Sequence, residues 1–586
     1  MRLVSPPGKF LPFLLVPFLA AACEEGEATG SKLAALSPED AKLAAWRPLR
    51  PPNVVLILID TLRADAILDP DGAYDTPNID ALGSEGLVFT HAFAHAPMTL
   101  PSHTALFSSR PPLETKVTNN WQEVPQDLPV LAQWLGQNGY DSRAVVSLGT
   151  LNPYGHSQGL QRGFVTYDTH YWQIARAEDT VVRLEATLAE RDPAKPLFLF
   201  AHFADPHEPY DSHGTEKKTA RVTLDGELVA NVITCESPQW TGDLPLAAGR
   251  RVFDFEAPGP FKVRNFDCFV DGKPLPVEWE VSTTMEKTKH ARVAVEVPGT
   301  GTNAVRVRFW INDVPFEKAK IKRYKQEVAY TDHHVGALIE RLKALGLYDD
   351  SLVLFTSDHG EALGEPRSGI KFFGHVEHLT DEMLHVPLIV KLPKSDPRGP
   401  LLAHSLDHLV PLMDVVPTML DLLGMPPLPG QRGTSLFVPH AVTHVAETHR
   451  PEAKKTQFAL RDERFKMIYA ADDDSFVMYD LVQDPGEVSD VFADRHGERP
   501  EWEQLLRSFA QAGTPQTASQ GDVDESRLND LKALGYGGDA GDATAPDDDA
   551  PGDHPRPEPN TGDREPQAEK NAAGGGGGGG QGKKKQ

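Results

Sequence analysis

Three apolar runs in this sequence end in groups that bind cations or move protons. "NVVLILID" closes on Asp60, "LFLFAHFADPH" on Asp205 and His207, and "LVLFTSDHGE" on Asp358 and His359. Asp60, Asp358 and His359 together offer hard carboxylate oxygens and one imidazole. That mixture suits Ca²⁺, Mg²⁺ or Mn²⁺, and the imidazole keeps Zn²⁺ open. One divalent ion is expected rather than two, because the "DPHEPY" stretch supplies no second complete ligand set. A fourth stretch, "MTLPSH", crowds Thr99, Ser102 and His103 around Pro101 just ahead of an apolar, helix-like segment. Thr99 is either a helix cap or a nucleophile seated where a helix N-terminus can receive an anion. Ser102 reads as a helix-start hydroxyl and His103 as a residue of the first turn. Arg63 can either touch a substrate anion or pair with a nearby acid.

These residues need elements to position them. Apolar runs without alternation are the signature of strands buried on both faces, as in a mostly parallel sheet covered by helices. Helical stretches lie between the runs. One is "TPNIDALGSEG", with Thr76 as its cap, Pro77 at the first helical position and Gly86 at its end. In such α/β folds ligands gather beyond the carboxyl ends of the strands, where all three runs place their acids and histidines. Residues 213–320 differ in character. "ARVAVEV" and "AVRVRFWI" alternate with period two, Val305, Val307, Phe309 and Ile311 fall on one face, and Asp271-Gly272 suits a hairpin turn. An all-β insertion, such as a small sandwich, is expected there. It would divide the α/β core into a first part, 51–212, and a second part, 321–510, that carries a small C-terminal α+β subdomain.

The ends read differently again. Residues 1–22 have a basic start and a short apolar run, as a signal peptide does, and Cys23 then stands where a bacterial lipoprotein is lipidated. Residues 23–50 form a tether with a short helical piece opened by Ser37-Pro38. Residues 511–586, after a helical remnant, are rich in Asp, Gly and Pro and end in a glycine run, so a disordered tail is expected. The reading is of an exported protein of the cell envelope, held to a membrane through its lipid anchor. Of the three cysteines, Cys235 and Cys268 are left over, and export would let them form a disulfide. A formal charge of −26 argues against a nucleic-acid partner, whose phosphates such a chain would repel.

Read in order, "NVVLILIDTLRAD", "TPNIDALGSEGLVFTHAFAHAPMTLPSHTALFSSRPP", "DPHEPY", "SDHGEALGE", "GHVEHLTDEMLHVPLIV" and "LVPLMDVVPTMLDLLG" resemble successive blocks of the sulfatase family, within the alkaline phosphatase superfamily. "FALRDERFKMIYA" and "MYDLVQDPGEVSD" resemble its C-terminal subdomain. The resemblance covers about residues 51–212 and 321–495, and leaves out the β insertion. It implies an alkaline-phosphatase-like α/β fold with helices flanking a mostly parallel sheet, and metal-dependent hydrolysis of an ester. It also implies Asp60, Thr99, Asp358 and His359 as metal ligands, Thr99 as nucleophile, and His207 and His375 as residues that hold the transferred anion or protonate the leaving group. Arg63 and His103 are then candidate substrate contacts.

Two positions depart from the usual pattern. The family's Cys-x-Pro-x-Arg, or its serine version, is here Thr99-x-Pro101-Ser102-His103, and the second aspartate expected after Asp60 is Thr61. Both changes resemble the threonine-type branch, which includes phosphodiesterases, phosphonate monoester hydrolases and phosphoryl transferases. A formylglycine hydrate has two hydroxyls and can expel sulfate by elimination. Threonine has one, so its adduct must be opened at sulfur or phosphorus. The reading therefore leans towards phosphate mono- or diesters or phosphonates, carried by a small molecule, glycan or lipid. A true sulfatase, a phosphoryl-group transferase and a non-catalytic binding protein of the same fold remain as alternatives.

Overall fold

The computed structural model describes residues 50–512, apart from short internal stretches such as 211–218 and 282–288. The signal peptide, Cys23, the tether with Ser37-Pro38, Cys235, the Asp271-Gly272 turn and the tail lie outside the described residues. Among the described residues no helix is long and apolar enough to cross a membrane.

The strands of the first part are β1 (Asn53–Ile59), β2 (Leu87–Phe93), β3 (Asp141–Val146), β4 (Thr166–Thr169) and β5 (Leu197–Phe203). Those of the insertion are β6 (Thr219–Leu224), β7 (Glu227–Ile233), β8 (Gln239–Glu256), β9 (Phe261–Val270), β10 (Lys273–Pro274), β11 (Val277–Val281) and β12 (His290–Asp313). The second part adds β13 (Ser351–Thr356), β14 (Ala362–Arg367), β15 (Ile370–Gly374), β16 (His385–Lys391) and β17 (Ser405–Pro411). It ends with β18 (His444–Arg450), β19 (Lys455–Arg461), β20 (Phe465–Ala470) and β21 (Ser475–Asp480).

The main sheet has the order β17-β2-β16-β13-β1-β5-β3-β4. Its centre is parallel: β1 lies between β13, with Val55 opposite Val353, and β5, with Val55 opposite Leu199. Both faces are buried, which is why the three runs are apolar throughout. Val54, Leu56 and Leu58 face one core cluster, and Val55, Ile57 and Ile59 face another. Helices α1 (Pro77–Glu85), α2 (Thr99–Ser108), α3 (Ala177–Ala189), α4 (Glu317–Ala344) and α5 (Val415–Leu423) accompany the sheet. Thr76 does not cap α1 with its side chain. Asp332 of α4 does that work, accepting from the N–H groups of Asn78 (3.1 Å) and Ile79 (2.8 Å), and so ties the two parts of the core together.

The insertion is hydrogen-bonded as one seven-stranded antiparallel sheet of order β10-β9-β12-β8-β6-β7, with β11 on β12, and it folds over so that its two halves face each other as a small sandwich: Phe255, opposite Ala291 in one half, meets Phe309, opposite Trp240 in the other, at 5.1 Å. The long strands β8 and β12 pair from His290–Glu256 to Trp310–Gln239 across an irregularity between Val297 and Thr302. Val305, Val307, Phe309 and Ile311 line the buried face, where Phe253, Phe255 and Phe261 join them. Cys268 is a free thiol in that core, opposite Val307, and burial pushes it up to about 12. This corrects the expected disulfide at the Cys268 end: the side chain packs among apolar neighbours as a small hydrophobe. The C-terminal subdomain is the antiparallel sheet β18-β19-β20-β21, whose core includes Trp502 and Leu506 of α6 (Pro500–Ala512).

Candidate active site

Asp60 follows β1 directly and Asp358 stands two residues beyond β13. Because β1 and β13 are parallel neighbours in register, both acids emerge at the same sheet edge. Asp60, Asp358 and His359 each offer a ligand atom within 4.8 Å of the others, and all three are fully buried. Asp358 Oδ1 accepts from the N–H of His359 (2.9 Å) and of Thr61 (3.3 Å), which turns Oδ2 towards the cluster. His359 donates Nδ1–H to the Gly360 carbonyl at 2.9 Å, so its Nε2 keeps a lone pair. Gly360 is required there, since a Cβ would meet the Glu382 carbonyl oxygen at 2.1 Å.

The electrostatics of this cluster call for a cation. Both Asp60 oxygens, Asp358 Oδ2 and His359 Nε2 are buried without a hydrogen-bond partner. Burial raises the Asp60 carboxyl, and Thr99 and Asp358 lie close enough to ease that shift without a hydrogen bond of normal geometry. Burial also raises Asp358, and the neighbouring charge of Asp60 adds to it. Two buried acids pushed away from ionisation regain it when a positive ion sits between them. These residues therefore fit a divalent metal.

Helix α2 starts at Thr99, with Met98 as its N-cap and no side-chain cap, so Thr99 is not the capping residue. Thr99 is fully buried next to Asp60. Ser102 points its hydroxyl to the Asp358 carbonyl (2.6 Å), which fixes the Asp358 loop against the helix rather than starting the helix. His103, one turn after Thr99, donates Nδ1–H to the Thr99 carbonyl (2.8 Å) and lies 3.5 Å from Asp358 Oδ2. It is fully buried between Thr99, Asp358 and His202, and burial lowers it to about 4.

His207 donates Nδ1–H to the Glu208 carbonyl at 2.6 Å, and burial lowers it while Asp60 pulls it back. His375 presents Nδ1 to Glu361, at 3.2 Å and 3.3 Å from the two carboxylate oxygens. Burial lowers His375 well below the usual range, with His359, His207 and Arg450 adding to the shift. Its ring lies 4.5 Å from that of His359 and 5.1 Å from that of His207. In both residues Nε2 is thus the basic nitrogen, and the two rings stand side by side next to the metal-ligand candidates.

A family model described as Sulfatase matches residues 52–425, and one described as N-sulphoglucosamine sulphohydrolase, C-terminal, matches residues 372–509. The chain belongs to the sulfatase family. It is 23% identical to a Delta 4,5-hexuronate-2-O-sulfatase of Bacteroides thetaiotaomicron, over 77% of this chain and 86% of that protein. It is 24% identical to human iduronate 2-sulfatase, over 83% and 82% respectively. Its fold matches that of a phosphonate monoester hydrolase of Agrobacterium radiobacter with a TM-score of 0.53 at 19% identity, covering 79% of this chain and 96% of that one. It also matches a 2-O GAG sulfatase with a TM-score of 0.52 at 17% identity, covering 80% and 94%.

In this sulfatase-family hydrolase the structure brings Asp60, Thr99, His103, His207, Asp358, His359 and His375 into one buried cluster. Arg63 goes elsewhere. Its guanidinium pairs with Asp65 (2.6 Å), Glu365 and the Glu361 carbonyl, which is the ion-pair alternative rather than the substrate contact. Sequence reasoning missed His202. This residue of β5 lies fully buried with Nε2 3.6 Å from Asp60 Oδ2, and its Nδ1 accepts from the Ser147 N–H at 3.4 Å. The signal was present: an imidazole inside "LFLFAHF" interrupts an otherwise apolar strand one residue before its end. Thr61 is also strained, a β-branched residue at φ 58°, and its carbonyl accepts from the Tyr324 hydroxyl at 2.8 Å.

Proposed function

We propose that the chain is a metal-dependent ester hydrolase with Thr99 as its nucleophile, acting on phosphate-type or sulfate esters with the former preferred. The observation that carries this reading is Thr99 itself: a single hydroxyl, buried at the start of a helix beside Asp60, in place of the residue that becomes formylglycine. A divalent ion held by Asp60, Asp358, His359 and Thr99 would supply positive charge that acidifies the threonine hydroxyl and neutralises the developing anion. Thr99 Oγ1 attacks phosphorus, the ester oxygen leaves with a proton, and water then opens the phosphothreonine and restores the hydroxyl. His207 and His375, each with Nε2 as its basic nitrogen, hold the transferred anion or carry that proton. His103 and His202 flank the two acids from the side of β5 and orient them.

The curated relatives are named for sulfate esters, which supports a second reading as a sulfatase. Thr99 would then require opening of a sulfothreonine at sulfur. Purified protein loaded with Ca²⁺, Mg²⁺, Mn²⁺ or Zn²⁺ and offered nitrophenyl sulfate, phosphate monoester, phosphodiester and phosphonate separates the two. Thr99→Ala is expected to abolish turnover with fold and metal content intact, and Thr99→Ser to keep part of it. An active Thr99→Ala enzyme would remove the threonine mechanism. The N-terminal signal reading supports export and anchoring through Cys23. Cys23→Ser is then expected to release the protein from the membrane fraction, since a triacylated lipoprotein cysteine would supply the several acyl chains that stable anchoring takes.

A further inference from the structure

Seven non-glycine residues among those described have positive φ, and six of them lie between 49° and 61°, in the ordinary left-handed region. The seventh, Val376, stands at 88°. A β-branched side chain is poorly tolerated there, so the surrounding structure must hold the backbone in place. Val376 directly follows His375.

The restraints come from the C-terminal subdomain. Thr448 of β18, fully buried, donates its hydroxyl to the Val376 carbonyl. The next residue, Glu377, is also buried and receives an ion pair from Lys455 of β19, the strand that pairs with β18. Strand β18 is in turn fastened to the core, because the Glu447 N–H donates to the His95 carbonyl at 3.0 Å and the Glu447 carboxylate accepts from the Leu113 N–H at 2.5 Å. The His375 ring is held from its other side by Glu361.

We infer that Thr448 is a positioning residue: its hydroxyl, through the Val376 carbonyl, sets the backbone that aims His375 into the active site. The C-terminal subdomain thereby completes the site without reaching the substrate. This inference rests on the role of His375 proposed above. Loss of one buried hydrogen bond at a strained residue lets the loop relax, and a shift on the order of 1 Å in a reacting group costs up to about a hundredfold in rate.

The test uses the full-length, metal-loaded protein and whichever nitrophenyl ester the wild type turns over. Thr448→Val is isosteric and removes only the donor. It is expected to lower kcat roughly ten- to a hundredfold, with KM and bound metal nearly unchanged. Thr448→Ser should restore most of the rate. In a His375→Ala background Thr448→Val should cost nothing further. Full kcat in Thr448→Val while His375→Ala is strongly slowed overturns the inference and leaves the site reading standing. Equal losses in both backgrounds overturn it too, since they would mark general damage. An active His375→Ala overturns the role of His375 itself. Should Thr448→Val fail to fold, Lys455→Met removes the partly exposed second restraint and carries the same expectations and the same refutations.

Discussion

His95 makes the join between the core and the C-terminal subdomain sensitive to acid. It is fully buried in the segment between β2 and α2. Its Nδ1–H donates to the Val445 carbonyl of β18 at 2.7 Å, and its Nε2 accepts from the Met413 N–H, just before α5, at 3.3 Å. Protonation at Nε2 would set two N–H groups against each other. The ring of His444 lies 4.9 Å away, and burial lowers it well below the usual range, with His95, Arg461 and Lys466 adding to the shift. Burial accordingly lowers His95 from 6.5 to about 4. The unfolded chain therefore binds the proton first as pH falls. The stabilisation is complete above the unfolded value and is lost as pH drops towards the folded one.

At about pH 5 the unfolded imidazole is mostly charged and the folded one mostly neutral, a difference of about 1.5 units, or about 2 kcal/mol. Near pH 7 the same contribution is close to zero. His95→Asn keeps a donor near the Nδ1 position and removes the titration. Losing the acceptor for Met413 should cost about 1 kcal/mol near pH 7. The fall in stability between about pH 7 and pH 5 should then be about 2 kcal/mol smaller in the variant than in the wild type, read from urea midpoints at unchanged m-value. Equal falls in the two proteins would refute the assignment of acid sensitivity to this ring.

Other outcomes follow from the same geometry. Asp358→Asn keeps an acceptor for the His359 and Thr61 N–H groups but loses the charge, so bound metal measured by mass spectrometry should fall to background together with turnover. Gly360→Ala should destabilise by about 1–3 kcal/mol through its clash with the Glu382 carbonyl, and should weaken metal affinity because His359 is oriented by the Gly360 carbonyl; isothermal titration and thermal melts measure both. Cys268 should stay inert to thiol reagents in the native protein and react on unfolding, and rapid native labelling at that residue would contradict its place in the insertion core.

The strand ends were the most legible part of this molecule. Parallel strands buried on both faces must be apolar throughout, so the first acid after such a run is conspicuous, and in-register neighbours bring those acids together. Asp60, Asp358 and His359 follow from that rule alone. The inward face of β12 was legible as well, because period-two alternation is strict there. What the pattern hid was the second dimension of contact. "ARVAVEV" and "AVRVRFWI" do face each other as in a sandwich, but they are two halves of one long strand that bends at the Gly299 and Gly301 region with β8 following it, a continuity the alternation does not reveal. The cap at Thr76 was plausible by local rules, but Asp332 took the same N–H groups from more than 250 residues away. Arg63 is the reverse case: the nearby acid that the sequence offered, Asp65, pairs with its guanidinium, and Glu365 joins from across the fold.

The histidines show why roles are harder to read than positions. What an imidazole can do depends on which nitrogen carries the proton, and a backbone or carboxylate partner decides that. For His359 and His207 the partner is the carbonyl of the next residue, so the lone pair on Nε2 is a local property of the loop. For His103 it is the carbonyl one helical turn back, which follows once Thr99 opens the helix. His202 and His375 differ. Their partners, Ser147 on the neighbouring strand's loop and Glu361 beyond β13, are set only by the packed fold. Parity alone places His202 with Phe198 and Phe200 on one face of β5, towards α2, where Phe107 and His103 meet Phe200. An imidazole on that face, one residue from the strand's end and next to a carboxylate that ends the parallel neighbour, had to meet Asp60. The register of β5 on β1, with His202 opposite Leu58, is the one fact needed to turn a buried oddity into part of the site.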